Sequence, residues 1–265
     1  MPDTFTRQDM NPHTPPAPLD PTLYHAHHVL RADDLPFWQS LAKEYDGPVL
    51  ELGCGTGRIL LTLTGESRRL TGLDTDPNML VYLRETIPSQ ALANVNIIHA
   101  DMRTFDLPER FALVILPCNT YSTFTAPERE QIARTVRRHL QPGGVFAFSV
   151  PNPHLIASLD PIGEFDIEDS FLHPHTGHSV EVFSRWERTP ETITFTWRYD
   201  QHYLNGNTIP YTTSTCHQLD TPEMYLEELQ RANLTPIALY GDYQCTLFDP
   251  EESIYLIVLS ENRKH

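Results

Sequence analysis

Cysteine is scarce in this chain, and the little there is does not cluster. The four cysteines, Cys54, Cys118, Cys216 and Cys245, form no CxxC pair. That excludes a disulfide framework or a cysteine zinc site, and implies free thiols in a reducing cytoplasm. Positive charge is short as well. Nineteen Lys and Arg stand against 35 Asp and Glu, for a formal net charge of −16. A field of that sign repels phosphate backbones, so no nucleic acid partner is expected. No apolar run approaches the ~20 residues of a membrane helix, and MPDTFTRQDMNPHTPPAPLDP lacks the apolar centre of a signal peptide. No membrane partner is expected, and the expected location is cytoplasmic. Internal repeats and low-complexity tracts are absent.

What is present is ordinary globular composition, with 40% hydrophobic and 20% charged residues over 265 positions, enough for a real core. Residues 1–21, rich in Pro, Asp, Thr and Asn, predict a mobile arm. Residues 22–47 predict a helical cover, with Pro36 opening its second helix and Asp33 or Asp34 near the N-cap. Over 48–160 short apolar runs alternate with helical stretches. PVLEL, RLTGLD, VNIIHA, FALVILP and VFAFSVP read as strands; RILLTLT, PNMLVYLRETI and APEREQIARTVRRHL read as helices. Continuous apolar strands alternating with helices predict a parallel sheet covered on both faces. Over 161–220 the pattern changes to period-two alternation in HSVEVFSRWERT, ETITFTWRYDQHYL and TIPYTTSTCHQL, which predicts an inserted antiparallel sheet serving as a substrate lid or dimer surface. Residues 221–265 return to a helix and two apolar runs. The expected fold is α/β: a doubly wound, Rossmann-like sheet of seven strands, the last antiparallel, with a small antiparallel insertion and an N-terminal helical cover.

The stretch VLELGCGTGRILLTL puts Gly53, Gly55 and Gly57 between an apolar strand and a helical run. Such a turn lets backbone approach a ligand without Cβ interference. The dinucleotide pattern G-x-G-x-x-G has a small third residue around a pyrophosphate. Here Arg58 follows Gly57, and Glu51 lies just upstream, a poor neighbour for a pyrophosphate and a good one for a cationic ligand. Asp74 ends the next strand, where a carboxylate can accept both hydroxyls of a ribose.

The succession VLELGCGTGR, LTGLDTDPNML, NVNIIHADMRTFDL, FALVILPCNTYSTF and LQPGGVFAFSVPNP resembles the class I S-adenosylmethionine-dependent methyltransferases, of the small-molecule type. The resemblance covers about residues 48–153. It implies S-adenosyl-L-methionine as cofactor and S-adenosyl-L-homocysteine as product. It further implies that Gly53, Gly55 and Gly57 pass beneath the methionine part, with Glu51 orienting the loop and a ligand ammonium or water network. Arg58 would lie near the methionine carboxylate or support the loop. Asp74 would hold the ribose, Thr75 and Met79 would flank the adenine, Asp101 would accept from the adenine N6, and the Met102 backbone would meet N1. The Leu116 carbonyl would face the methionine ammonium, and Tyr24 would close over the methionine carboxylate. In the family that tyrosine is usually followed by Asp; here His25 follows.

Methyl transfer is an in-line displacement, so the acceptor must be positioned with a free lone pair. The segment LPCNTYSTF follows the fourth strand, and Asn119 and Tyr121 are expected to project into the mouth as catalytic residues. It lacks the acidic-Pro-Pro-Tyr motif of amino-directed DNA and protein-glutamine methyltransferases. The sets His25, His27, His28 and His173, His175, His178 lack carboxylate or cysteine partners at ligand spacing, so no metal site is expected. His25, His154 and His217 are each open as a general base. The alternating aromatics from Trp186 to Tyr211 read as sheet packing, and YGDYQCTLFDP is assigned no chemistry. The expected activity is methyl transfer to N or O of a small molecule by a monomer or homodimer. A nicotinamide-dependent oxidoreductase and a non-catalytic S-adenosylmethionine-binding module are the alternatives.

Overall fold

In the computed structural model, residues 20–64, 68–89, 91 and 93–263 are described. The expected N-terminal arm lies outside them, apart from Asp20 and Pro21. Pro21–His28 (α1) and Leu35–Glu44 (α2) form the cover. Asp20 caps α1 by accepting from the Thr22 and Leu23 amides, and Pro36 lies in the first turn of α2.

Seven strands make the main sheet. They are Val49–Leu52 (β1), Leu70–Asp74 (β2), Val95–His99 (β3), Phe111–Leu116 (β4), Leu140–Pro151 (β5), Thr235–Tyr240 (β10) and Tyr255–Glu261 (β11), in the order β10-β11-β5-β4-β1-β2-β3. The first five pair in parallel, and β11 runs antiparallel to both neighbours. Alternate residues go to opposite faces. Leu50, Leu52, Val114 and Leu116 pack with Ile132 and Val136 of α4 (Ala126–His139) and Leu229 of α6 (Pro222–Arg231). Val49, Leu113 and Ile115 pack with Trp38 of α2 and with Leu80 and Leu83 of α3 (Pro77–Thr86). Both faces are therefore buried, which is why these strands read as unbroken apolar runs.

Strand order reverses between β1 and β4, and the crevice at their carboxyl ends is where such sheets bind ligands. The two loops there are the glycine turn and the Cys118–Asn119 turn. The helix expected after the glycine turn is instead a single 3-10 turn, Leu60–Leu63. Thr62 and Thr64 turn their hydroxyls back onto the Ile59 and Leu61 carbonyls. Such bonds compete with helical extension, and β2 begins only at Leu70.

Asp166–Leu172 (β6), Ser179–Arg188 (β7), Thr192–His202 (β8) and Thr208–Gln218 (β9) form a second, four-stranded antiparallel sheet, inserted after the short helix α5 (Pro153–Ala157). Its polar first strand, DIEDSFL, escaped the sequence reading because only three of its seven residues are apolar and none is buried. One face of this sheet docks on α1: Leu23 packs with Val180, Val182 and Tyr199. The cover and the insertion thus close over the crevice together.

Candidate active site

A cavity of about 410 Å³ opens at this crevice. Its floor is the glycine turn and the end of β2. Gly53 and Gly55 have φ of 65° and 51°, the left-handed region that glycine enters without cost. A Cβ on Gly55 would meet nothing nearer than Tyr24 Cε1 at 3.9 Å, so that side of the turn is open. Gly57 differs. A Cβ there would lie 2.3 Å from Leu83 Cδ1, so its role is close packing against α3.

Asp74 holds the floor together. Its Oδ2 accepts from the Gly55 amide at 2.8 Å and its Oδ1 from the Asp76 amide at 2.9 Å. Each oxygen keeps a lone pair for a further donor. Thr75, Met79, Met102, Asp76 and Ala100 complete this end, and Tyr24 and His28 descend from α1. Burial, with His27 beside it, pushes the His28 imidazole down to about 3.

Glu51 lies beneath the turn. Period two in β1 sends it to the face covered by α2 and α3, where it is buried. Burial, opposed by Arg58, raises its carboxyl to about 8, and its Oε2 has no hydrogen-bond partner. Arg58 does not reach the cavity. It forms a two-pronged pair with Asp34, both contacts 2.7 Å, and donates to the Arg31 carbonyl at 2.9 Å. It therefore clamps the α1–α2 connection over the turn.

Three expected positions fall elsewhere. Tyr121 is corrected: it is fully buried among Phe146, Phe148 and Tyr225, and its hydroxyl donates to the Arg129 carbonyl at 3.0 Å. The 3-10 turn Thr120–Thr123 rotates it into the core and presents Thr120 and Thr123 to the cavity instead. Asp101 turns away onto Arg103, which holds its carboxyl below the usual range. Leu116 ends β4 at the crevice, with its side chain buried beside Gly53. Asn119, expected in the mouth, does not line the cavity; it sits at φ 59° with a buried, unpartnered Oδ1.

The opposite wall comes from the inserted sheet, whose aromatics the sequence reading had favoured as sheet packing. Trp197, Tyr199, Thr213, Thr215 and His217 line it. The register pairs Trp197 with Thr213 and Phe195 with Thr215, so period two puts them on one face. Of the three candidate bases, His217 alone lines the cavity; His25 bonds Thr56 Oγ1 and His154 opens α5. His27 is buried, with Nδ1 on the Tyr199 hydroxyl and Nε2 3.4 Å from Glu168 and from Asp169. Arg31 supplies the positive charge to those carboxylates.

A nucleoside sulfonium fits this donor set. It meets an open glycine floor, a ribose-type carboxylate, and apolar Met79 and Met102. A family profile described as "Methyltransferase domain" matches residues 49–144, spanning the glycine turn, Asp74 and the β4 loop. Residues 49–144 carry a methyltransferase domain. The chain is 26% identical over 134 residues to the putative methyltransferase YqeM of Bacillus subtilis, covering 50% of this chain and 53% of that protein. The chain thus spans about half the length of that curated relative. Among solved structures, an S-adenosylmethionine-dependent methyltransferase from Clostridium acetobutylicum matches with a TM-score of 0.77 at 15% identity, covering 91% of this chain and 98% of that one. CalS10, an amino pentose methyltransferase from Micromonospora echinaspora with S-adenosylmethionine bound, matches at 0.68 and 20% identity, covering 94% and 100%. The methyltransferase domain ends before the inserted sheet, so the wall bearing His217 belongs to the part that the profile does not describe.

Proposed function

We propose that this protein transfers a methyl group from S-adenosylmethionine to nitrogen or oxygen of a small molecule that carries no phosphate. The observation that carries the reading is the charge of the cavity. Asp74 and Asp76 line it, and its lining includes no Lys or Arg. Those carboxylates suit a cationic cofactor. A diphosphate would meet them without a guanidinium or ammonium to bind it, which disfavours sugar nucleotides as acceptors.

S-adenosylmethionine supplies an activated methyl group on a sulfonium, displaced in line by a lone pair about 3 Å away. The residues around it bind and orient. Asp74 has the free lone pairs to accept two ribose hydroxyls, and Met79 and Met102 offer polarisable surfaces to a flat base. Tyr24 and His28 on one side and Trp197 on the other exclude water. The likeness to an amino pentose methyltransferase supports a small amine or hydroxyl acceptor.

The test is incubation with methyl-labelled S-adenosylmethionine and a panel of free amines, amino sugars, phenols and sugar nucleotides, read by mass spectrometry. Methylation among the phosphate-free compounds is expected. Methylation confined to the sugar nucleotides would sink the proposal.

A further inference from the structure

Ser122 and His217 build a hydrogen-bond acceptor into the wall of the cavity. Ser122 is fully buried. Its hydroxyl donates to the Asn119 carbonyl at 2.8 Å and lies 2.9 Å from His217 Nδ1. A hydroxyl has one hydrogen to give. With that hydrogen on Asn119, the Ser122 oxygen can only accept from His217, so Nδ1 carries the imidazole hydrogen. The lone pair is then on Nε2. The ring lines the cavity and packs edge-on against Phe195. Burial holds its pKa down to about 4, against the Asn119 carbonyl, which raises it. The imidazole is therefore neutral through the physiological range.

We propose that His217 is a catalytic residue whose Nε2 accepts a hydrogen bond from the methyl acceptor, selecting a primary or secondary amine. This rests on the methyl-transfer reading above. The amine lone pair forms the N–C bond as the C–S bond breaks, and the C–S electron pair stays on sulfur. The N–H hydrogens remain on the amine nitrogen, one of them hydrogen-bonded to Nε2, and the product ammonium loses its proton to solvent after release. The N–H becomes more acidic as positive charge grows on nitrogen, so the bond strengthens toward the transition state. A neutral amine needs no base. An alcohol does, and an imidazole this weakly basic is a poor one. Methylation should stop at the tertiary amine, which has no hydrogen left for Nε2. His28 also lines the cavity with Nδ1 committed, to the Tyr24 carbonyl. It stacks on Tyr24 beside the glycine floor, whereas His217 is tied to the loop after β4, at the reversal of strand order.

Two experiments test this. In the S-adenosylhomocysteine complex at pH 7, ¹⁵N-histidine NMR should show His217, assigned by its loss in His217→Asn, protonated at Nδ1 and bare at Nε2. The opposite tautomer or an imidazolium overturns the proposal. His217→Asn keeps a donor for Ser122 and has no atom at the Nε2 position. Its turnover should fall about 100-fold or more on benzylamine, N-methylbenzylamine, glucosamine or whichever panel amine wild type accepts. Affinity for S-adenosylhomocysteine should change less than about two-fold. His217→Gln, whose amide oxygen reaches toward Nε2, should recover part of the rate, and N,N-dimethylbenzylamine should not be quaternised. Full turnover by His217→Asn overturns the role of His217 and leaves methyl transfer standing. Wild type that binds no S-adenosylhomocysteine overturns both.

Discussion

Replacing Arg58 by methionine should loosen the cover, and on the cavity wall it loses the bond to the Cys118 thiol, 3.2 Å. The side chains of Arg58 and Asp34 are only 12% and 9% exposed. Their two contacts of 2.7 Å are joined by the bond to the Arg31 carbonyl. Removing one partner of a buried pair strands the other charge and costs about 3–5 kcal/mol. Asp34 keeps one neighbour, Trp38 Nε1 at 3.2 Å, and some contact with water. That points to the lower end, about 3 kcal/mol, or roughly 100-fold in the folded-to-unfolded ratio. Trp38 is fully buried, so urea unfolding followed by tryptophan fluorescence reads the loss where it occurs. A cycle of Arg58→Met, Asp34→Asn and the double variant should return a coupling of about 2 kcal/mol. A coupling below about 0.5 kcal/mol would refute the clamp and return Arg58 to the list of ligand contacts.

Asp74→Ala should lower affinity for S-adenosylhomocysteine at least about 100-fold, since it removes a charged acceptor for two hydroxyls and the anchor of the Gly55 amide; titration calorimetry checks this, and unchanged affinity would contradict the floor described. Glu51, folded with a carboxyl near 8, keeps a proton that the unfolded chain loses near 4.5, so its contribution makes stability fall as pH rises from about 5 to 8. Glu51→Gln should then be more stable than wild type by about 4 kcal/mol at pH 8 and by about 1 kcal/mol or less at pH 5; parallel pH curves would contradict this. Tyr121→Phe should keep wild-type turnover and lose about 1 kcal/mol of stability, measured by thermal melts; a turnover defect without a melting change would restore it to the site. Arg129→Met, which strands the buried Glu228 carboxylate 2.7 Å away, should cost about 3–5 kcal/mol in urea denaturation.

The main sheet was legible because strands buried on both faces write themselves as apolar runs, and the glycine spacing with Asp74 marked the crevice. The outcome at Tyr121 and Asp101 was not legible. Whether a residue after a strand faces a cavity or the core depends on the phase of a short turn, and Thr120–Thr123 is a single 3-10 turn. Asp101 was claimed by Arg103, an ionic choice between two neighbours that spacing does not rank. Arg129 sits in a helix whose apolar positions predict only a buried stripe; its burial depends on Glu228 and Asp220, some 90 residues on. The His217 wall had a signal, the period-two face Phe195, Trp197, Tyr199, but nothing in a strand says which face meets a ligand. That came from the docking of the inserted sheet on α1.

The most direct test of the account is a calorimetric titration of the protein with S-adenosylhomocysteine, run beside NADH. The account predicts one site for S-adenosylhomocysteine, lost in Asp74→Ala, and no heat from NADH. Binding of NADH with none of S-adenosylhomocysteine would contradict it.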